Sequence, residues 1–167
     1  MIFLTVGNQL PFDRLVSAVD DWLGQRRDLD AKAQIGDSGL SPEHLSCMSS
    51  IDAGAYADLM ARATHVIAHA GMGTVISARL YGKPLLVMPR QSAQGEVRSD
   101  HQIATCRFLE GLEGVWVAWD TEQLLLQLPQ FLESDSCAVE SEASREALMS
   151  IRGFVQRFVH ADRGEQA

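Results

Sequence analysis

Short apolar runs separated by segments of helical spacing constrain the fold of this chain more than any other feature. Runs such as Ile2–Val6 and Pro84–Met88 are too short for helices and are bounded by turn residues, which is typical of strands buried on both faces of a sheet. Strands that alternate with helices predict an α/β fold with an open, mostly parallel sheet. The predicted strands are Ile2–Val6, Lys32–Ile35, Leu45–Ser49, His65–Ala68, Pro84–Met88 and Val115–Ala118.

The segments between these runs carry apolar residues at helical spacing. Pro11 stands at the predicted start of the first helix, and Asp52 and Asp100 are predicted N-caps of two later helices. The predicted helices run from about Pro11 to Leu23, Gly54 to Arg62, Val75 to Tyr81, Asp100 to Glu110, Thr121 to Leu132 and Ala143 to His160.

The chain divides into one domain and a C-terminal extension. Residues 1–132 are predicted to form the α/β domain, and residues 133–142 form an acidic polar linker. Residues 143–160 are predicted to form an amphipathic helix that packs on the domain or on a partner, and residues 161–167 a disordered tail.

Composition excludes several classes of protein. A formal net charge of −8 and a pI near 5.0 argue against nonspecific nucleic-acid binding, which needs a basic face. The three cysteines are odd in number and widely spaced, so they form neither a zinc pattern nor a disulfide framework. The apolar start Met1–Val6 is too short for a signal peptide, and no run approaches the ~20 residues of a membrane span. We expect a soluble, cytoplasmic chain with reduced thiols.

The run His69–Thr74 (His-Ala-Gly-Met-Gly-Thr) lies between a predicted strand and a predicted helix. A glycine turn that opens a helix presents free backbone N–H groups to a phosphate. Gly71 and Gly73 allow a close approach, while Thr74 and His69 add side-chain donors. The run lacks the third glycine of a dinucleotide fingerprint and the Gly-Lys-Ser/Thr of a P-loop. It is either a phosphate site or a plain connection that needs small residues.

Two further segments belong with this run. The turn Gly7–Gln9 leaves the first predicted strand, and ligands of parallel sheets bind at the carboxyl ends of the strands. The polar cluster Gly95–Gln102 follows a buried strand and Arg90. It is either solvated surface with a helix cap or a set of groups that read sugar hydroxyls.

Three blocks, Met1–Leu15, His69–Arg90 and Gly95–Gln102, resemble the glycosyltransferase family 28 C-terminal domain. More narrowly, they resemble the free-standing subunits of two-component bacterial exopolysaccharide glycosyltransferases and the dolichol-pathway UDP-GlcNAc transferase subunit. The similarity runs from Met1 to about Phe131. It implies a Rossmann-like open parallel sheet, the C-terminal, donor-binding half of a GT-B fold. It also implies a separate, membrane-anchored subunit that supplies the acceptor-binding half.

The resemblance implies three groups of donor-binding residues. The diphosphate-binding residues would be Gly7, Asn8, Gln9, His69, Gly71, Met72, Gly73 and Thr74. The nucleoside-binding residues would be Ser50, Ile51 and Ser77, and the donor-sugar residues Arg90, Glu96, Arg98, His101 and Gln102. Asn8 replaces the more usual threonine or serine. Ser77 stands where the family often has a glutamate that holds both ribose hydroxyls, a contact that a serine cannot make.

The activity that the resemblance implies is transfer of a sugar from a UDP-sugar to a lipid-linked oligosaccharide in exopolysaccharide biosynthesis. The chain would be the catalytic, donor-binding subunit of a heteromeric inverting glycosyltransferase, held by its partner at the inner face of the cytoplasmic membrane. We expect no metal or other cofactor, and we expect the general base on the partner, with Glu96 and His101 as the candidates in this chain. Arg90 and Arg98 are either ordinary surface arginines or the ligands of a charged donor such as UDP-glucuronate.

Two other functions fit the same residues. The chain could be a non-catalytic nucleotide-sugar-binding module that regulates or scaffolds a polysaccharide assembly complex. A nucleotide-sugar epimerase or hydrolase fits less well, because 167 residues leave no room for the second domain that closes such active sites.

Overall fold

A computed structural model describes residues 1–8, 10–26 and 28–135, in which six strands form one parallel sheet. The strands are Ile2–Thr5 (β1), Ala31–Gln34 (β2), Ser46–Met48 (β3), His65–His69 (β4), Leu85–Met88 (β5) and Val115–Val117 (β6). Their order is β3-β2-β1-β4-β5-β6, and every pair of neighbours is parallel. The predicted Rossmann-like sheet is therefore confirmed, and its strand order reverses between β1 and β4.

Helices connect the strands across both faces of the sheet. They are Asp13–Leu23 (α1), Ala53–Arg62 (α2), Met72–Leu80 (α3), His101–Leu109 (α4) and Thr121–Leu132 (α5), with a short 3-10 turn at Ser92–Gln94. Within the described ranges, no helix combines the length and the apolarity needed to cross a bilayer.

The sheet separates two apolar layers because successive strand side chains point to opposite faces. Leu4 and Ile67 pack in one layer with α1 and α5, whereas Phe3 and Val66 pack in the other with α2, α3 and α4. Each of these four strand side chains is fully buried. Burial on both faces explains why β1, β4 and β5 appear in the sequence as largely apolar runs, whereas the edge strand β3 is mostly exposed.

The structure moves the predicted starts of α1 and α3 and confirms one of two predicted aspartate caps. α3 begins at Met72 rather than at Val75. α1 begins at Asp13 rather than at Pro11, because Phe12 has a non-helical backbone and buries its ring in the core. Asp100 precedes α4 but does not cap it, since its carboxylate instead accepts the N–H of Ser92 at 2.8 Å. Asp52 caps α2 as predicted and accepts the N–H of Ala55 at 2.8 Å.

The C-terminal predictions lie largely outside the described residues. α5 ends at Leu132 as predicted, and the described chain continues only to Asp135. The remainder of the predicted linker 133–142, the predicted helix 143–160 and the predicted tail 161–167 stay predictions.

Candidate functional site

The two glycine turns lie side by side at one edge of the sheet. β1 and β4 are neighbours, with Thr5 paired to Ala68, and Gly7 and Gly71 follow these strands directly. This is the point at which the strand order reverses, and open α/β sheets bind ligands in the crevice at such a point. The topology therefore places both turns at the edge where a ligand is expected.

The imidazole of His69 fills the space between the two turns. A Cβ atom on Gly7 would lie 2.8 Å from Cε1 of His69, and a Cβ on Gly71 would lie 2.8 Å from the same atom and closer still to Nε2. Gly7 also has φ +76, a left-handed conformation that side chains rarely adopt. Both positions require glycine because one ring packs against each of them.

His69 is neutral at pH 7. Burial lowers its pKa to about 4; the charge of Arg90 acts in the same direction, and the carbonyl of Thr5 opposes both. Nδ1 of His69 is buried and has no hydrogen-bond partner among the described residues. A neutral imidazole carries one N–H, so His69 keeps one donor without adding a positive charge.

The first turn of α3 offers unpaired backbone amides. The N–H groups of Thr74 and Val75 donate to the carbonyl of Gly71 at 3.0 and 3.1 Å. The N–H groups of Met72 and Gly73 have no partner in the described part of the chain. A Cβ on Gly73 would meet nothing within 4 Å, so the space beside this residue is open. Open amides at the positive end of a helix form an anion-binding site.

Gln34 supports the Gly7 turn and is absent from the sequence prediction. This buried amide donates from Nε2 to the carbonyl of Gly7 at 2.8 Å, and Asn8 Oδ1 and the carbonyl of Ser49 lie 3.3 Å from the same nitrogen. Its Oε1 accepts the hydroxyl of Thr5 at 2.7 Å. Gln34 thereby joins the turn after β1 to the end of β3. A polar residue at the carboxyl end of a buried strand is the signal that would have identified it.

Arg90 is not the surface arginine that the sequence allowed. Its side chain is 3% exposed, and Nη2 donates to the carbonyls of Val6, at 2.7 Å, and Leu10. Arg90 is buried behind the turn that follows β1, and Nη2 makes its hydrogen bonds to backbone carbonyls of the chain. Arg90 thus supports the backbone around Gly7, and its predicted contact with a donor sugar stays a prediction. Arg98 is exposed, as an ordinary surface arginine would be.

Glu96 holds a loop together, and its candidacy as a general base stays a prediction. Both carboxylate oxygens bind Arg14, with Nε–Oε1 at 2.8 Å and Nη2–Oε2 at 2.9 Å. Oε2 also accepts the N–H of Gln91 at 2.9 Å. A carboxylate fixed by three donors, two of them charged, is poorly placed to accept a proton from a substrate.

Gln102 and His101 stand at the start of α4. The buried Oε1 of Gln102 accepts the backbone N–H of Arg90 at 3.1 Å, and its Nε2 has no partner among the described residues. The side chain is therefore oriented with its donor free. His101 is exposed, and its Nδ1 lies 3.0 Å from the hydroxyl of Ser99.

The predicted nucleoside contacts differ in exposure. Ser50 is exposed and Ile51 half-buried, and both follow β3 at the same edge of the sheet as the glycine turns. Ser77 lies inside α3 and is only 3% exposed, so its short side chain has almost no surface for a ligand. Gln9 lies outside the described residues.

No group of three metal-ligating side chains occurs in the part of the chain that the structure describes. The expectation that no metal takes part stays a prediction.

Solved glycosyltransferase structures share this fold. The glycotransferase of kitacinnamycin matches with a TM-score of 0.60 at 16% identity, over 93% of this chain and 39% of that one. MurG of Acinetobacter baumannii matches with a TM-score of 0.60 at 21% identity, over 93% of this chain and 49% of that one. This chain thus spans less than half the length of either protein. At these identities the likeness concerns the fold.

A chain of similar extent also has this fold. ALG13, solved by NMR, matches with a TM-score of 0.58 at 18% identity, over 84% of this chain and 89% of that one. No functionally curated protein matches the sequence. The glycosyltransferase family 28 C-terminal domain matches residues 1–154. Because that match covers nearly the whole sequence, the chain belongs to the glycosyltransferase family 28 C-terminal domain family.

Proposed function

We propose that this chain is the catalytic, donor-binding subunit of a heteromeric inverting glycosyltransferase. It would transfer a sugar from a UDP-sugar to a lipid-linked oligosaccharide in exopolysaccharide biosynthesis. One observation carries the proposal: two glycine turns meet at His69 where the strand order reverses, beside the unpaired amides of Met72 and Gly73. Family membership supports glycosyl transfer, and this geometry supports a diphosphate-bearing donor.

The site suits the departure of a nucleoside diphosphate. When an acceptor hydroxyl attacks the anomeric carbon, negative charge develops on the leaving diphosphate. Fixed donors that point at this charge lower the barrier without reorganising. The amides of Met72 and Gly73, the N–H of His69 and the hydroxyl of Thr74 are the donors that we assign to this role.

We place the acceptor-binding half on a separate, membrane-anchored subunit, which would also hold this chain at the inner face of the cytoplasmic membrane. The fold likeness to ALG13, over 89% of that chain, supports a donor-binding domain of this size as a protein in its own right. The engagement of Glu96 by Arg14 supports a general base on the partner.

Calorimetric titration with UDP-sugars tests the donor site. Gly73→Val adds a branched side chain beside the amides of Met72 and Gly73, and we expect donor affinity to fall by about 10- to 100-fold, the scale of one or two hydrogen bonds to a charged group. The double variant His69→Ala with Thr74→Ala should behave in the same way.

Ala61→Val is the matched control, because it adds a branched side chain to an exposed position near the end of α2, at the opposite edge of the sheet. It should bind like the unmodified chain. Unaltered donor affinity in Gly73→Val would show that the diphosphate does not bind at this turn.

A further inference from the structure

Arg90 lies beneath the turn that follows β1. Its Nη2 donates to the carbonyls of Val6 and Leu10, which lie before Gly7 and after Asn8 in the sequence. One guanidinium group therefore closes the turn from behind and fixes the separation of its two ends. Neither carbonyl has another side-chain donor among the described residues.

The position of Arg90 is itself fixed from two directions. The ring of Phe12 lies 5.3 Å from its Cζ atom, so the guanidinium is held against an aromatic face. Its backbone N–H donates to Oε1 of Gln102 at 3.1 Å. Arg90 thereby connects the start of α4, the end of β5 and the turn after β1.

Arg90 also brings a positive charge behind an anion site whose own donors are neutral. Burial lowers the pKa of Arg90 and the charge of Glu96 opposes this, but a guanidinium stays charged in a protein. Its Nε is buried with no hydrogen-bond partner in the described ranges. A buried, incompletely paired charge is costly to the fold, and a bound dianion would offset that cost.

We infer that Arg90 is a positioning residue for the nucleoside diphosphate. It holds the Gly7 turn in the shape that meets the diphosphate, and it links the position of Gln102 to that turn. This inference rests on the proposed function, because it assumes that the diphosphate binds at the two glycine turns.

The test compares UDP with uridine, which lacks the diphosphate. Arg90→Met removes the charge and both hydrogen bonds, whereas Arg90→Lys keeps the charge but replaces the fork with a single ammonium. We expect UDP affinity to fall by about 10- to 100-fold in Arg90→Met and by about 10-fold in Arg90→Lys, the scale of one or two hydrogen bonds to a charged group. Uridine affinity, measured by NMR titration of the labelled protein, should change by less than about threefold.

Arg26→Lys is the control variant, because Arg26 stacks on Trp22 with its Cζ 3.9 Å from the ring centroid and contacts no residue of the site. It should leave both affinities unaltered. Equal losses for UDP and uridine, unaltered UDP affinity, or loss of the fold in both Arg90 variants would overturn the inference.

The outcome separates this inference from the proposed function. If the unmodified chain does not bind UDP, the proposed function fails. If it binds UDP, loses binding in Gly73→Val and keeps it in both Arg90 variants, only the role of Arg90 fails.

Discussion

The buried ring of His69 limits which residues can stand at neighbouring positions. Its ring occupies the volume that a side chain on Gly7 or Gly71 would need, while Gly73 faces open space. The three glycines are therefore not equivalent. Gly7 and Gly71 make room for a buried ring, whereas Gly73, in the first turn of α3, borders the open space that we assign to the donor.

The buried ring also predicts how stability depends on pH. The pKa of His69 falls from its ordinary 6.5 to about 4 on folding, so the unfolded chain binds more protons between these values. The folded state should lose stability as the pH is lowered through this window, by about 2 kcal/mol at pH 4.5 relative to pH 7. Urea denaturation of the unmodified chain and of His69→Asn at both pH values measures this loss.

The asparagine variant should lose less stability on acidification, because it has no group to titrate at this position. His65, whose pKa burial also lowers, contributes equally to both proteins. Equal losses in the two proteins would contradict the assignment of the acid sensitivity to His69.

At the scale of elements, one carboxylate fastens the segment that enters β3 to α1. The side chain of Asp20 is buried, and its two oxygens accept the N–H groups of Glu43, His44 and Leu45 at 2.8 to 2.9 Å. This segment leads into the edge strand whose end carries the predicted nucleoside contacts. Asp20 therefore determines where that strand enters the sheet.

Asp20→Ala should lower the free energy of unfolding by about 3 kcal/mol, because three backbone donors lose a charged acceptor. Asp52→Ala is the comparison, since it removes an exposed helix cap and should cost about 1 kcal/mol. Urea denaturation monitored by circular dichroism measures both. A loss for Asp20→Ala no greater than that for Asp52→Ala would show that the segment holds its position without the carboxylate.

The elements were predictable where a local signal determines them. Buried apolar runs mark β1, β4 and β5, and the Asp52 cap marks α2, because both signals depend on neighbours in sequence. The predicted start of α1 at Pro11 was wrong. The burial of the Phe12 ring in the core outweighs the local preference of proline for the first position of a helix. The roles of Gln34 and Arg90 were not predictable, because their bonds to the Gly7 turn span 27 and 84 residues.

At the scale of the whole molecule, the strand order gathers the site at one edge. Alternating strands and helices predict a parallel sheet, but they do not determine which strands are neighbours. The order β3-β2-β1-β4-β5-β6 brings the turns after β1 and β4 together, with the polar loop after β5 beside them. The segments that we assign to donor binding therefore lie together within one domain.

Reconstitution with an acceptor-binding partner tests the remainder of the proposal. We expect the purified chain alone to transfer little or no sugar to a lipid-linked acceptor. The complex should transfer sugar and lose most of this activity in Gln102→Glu, which keeps the oxygen that accepts from Arg90 but removes the free donor. The measurement is transfer of radiolabelled sugar from the UDP-sugar into the lipid fraction.

Two results would contradict this prediction. Transfer by the isolated chain would show that no partner is needed. Transfer by the complex that is insensitive to Gln102→Glu would instead favour a non-catalytic nucleotide-sugar-binding module.

The turn after β1 is held from both flanks, by Gln34 on one side and Arg90 on the other. Because this turn loses little conformational freedom when a ligand binds, it would bind the diphosphate of free UDP as well as that of a UDP-sugar. For a transferase of the proposed kind, the product UDP would therefore compete with the UDP-sugar for the site. The release of UDP from the site, rather than the chemical step, would then limit the turnover rate.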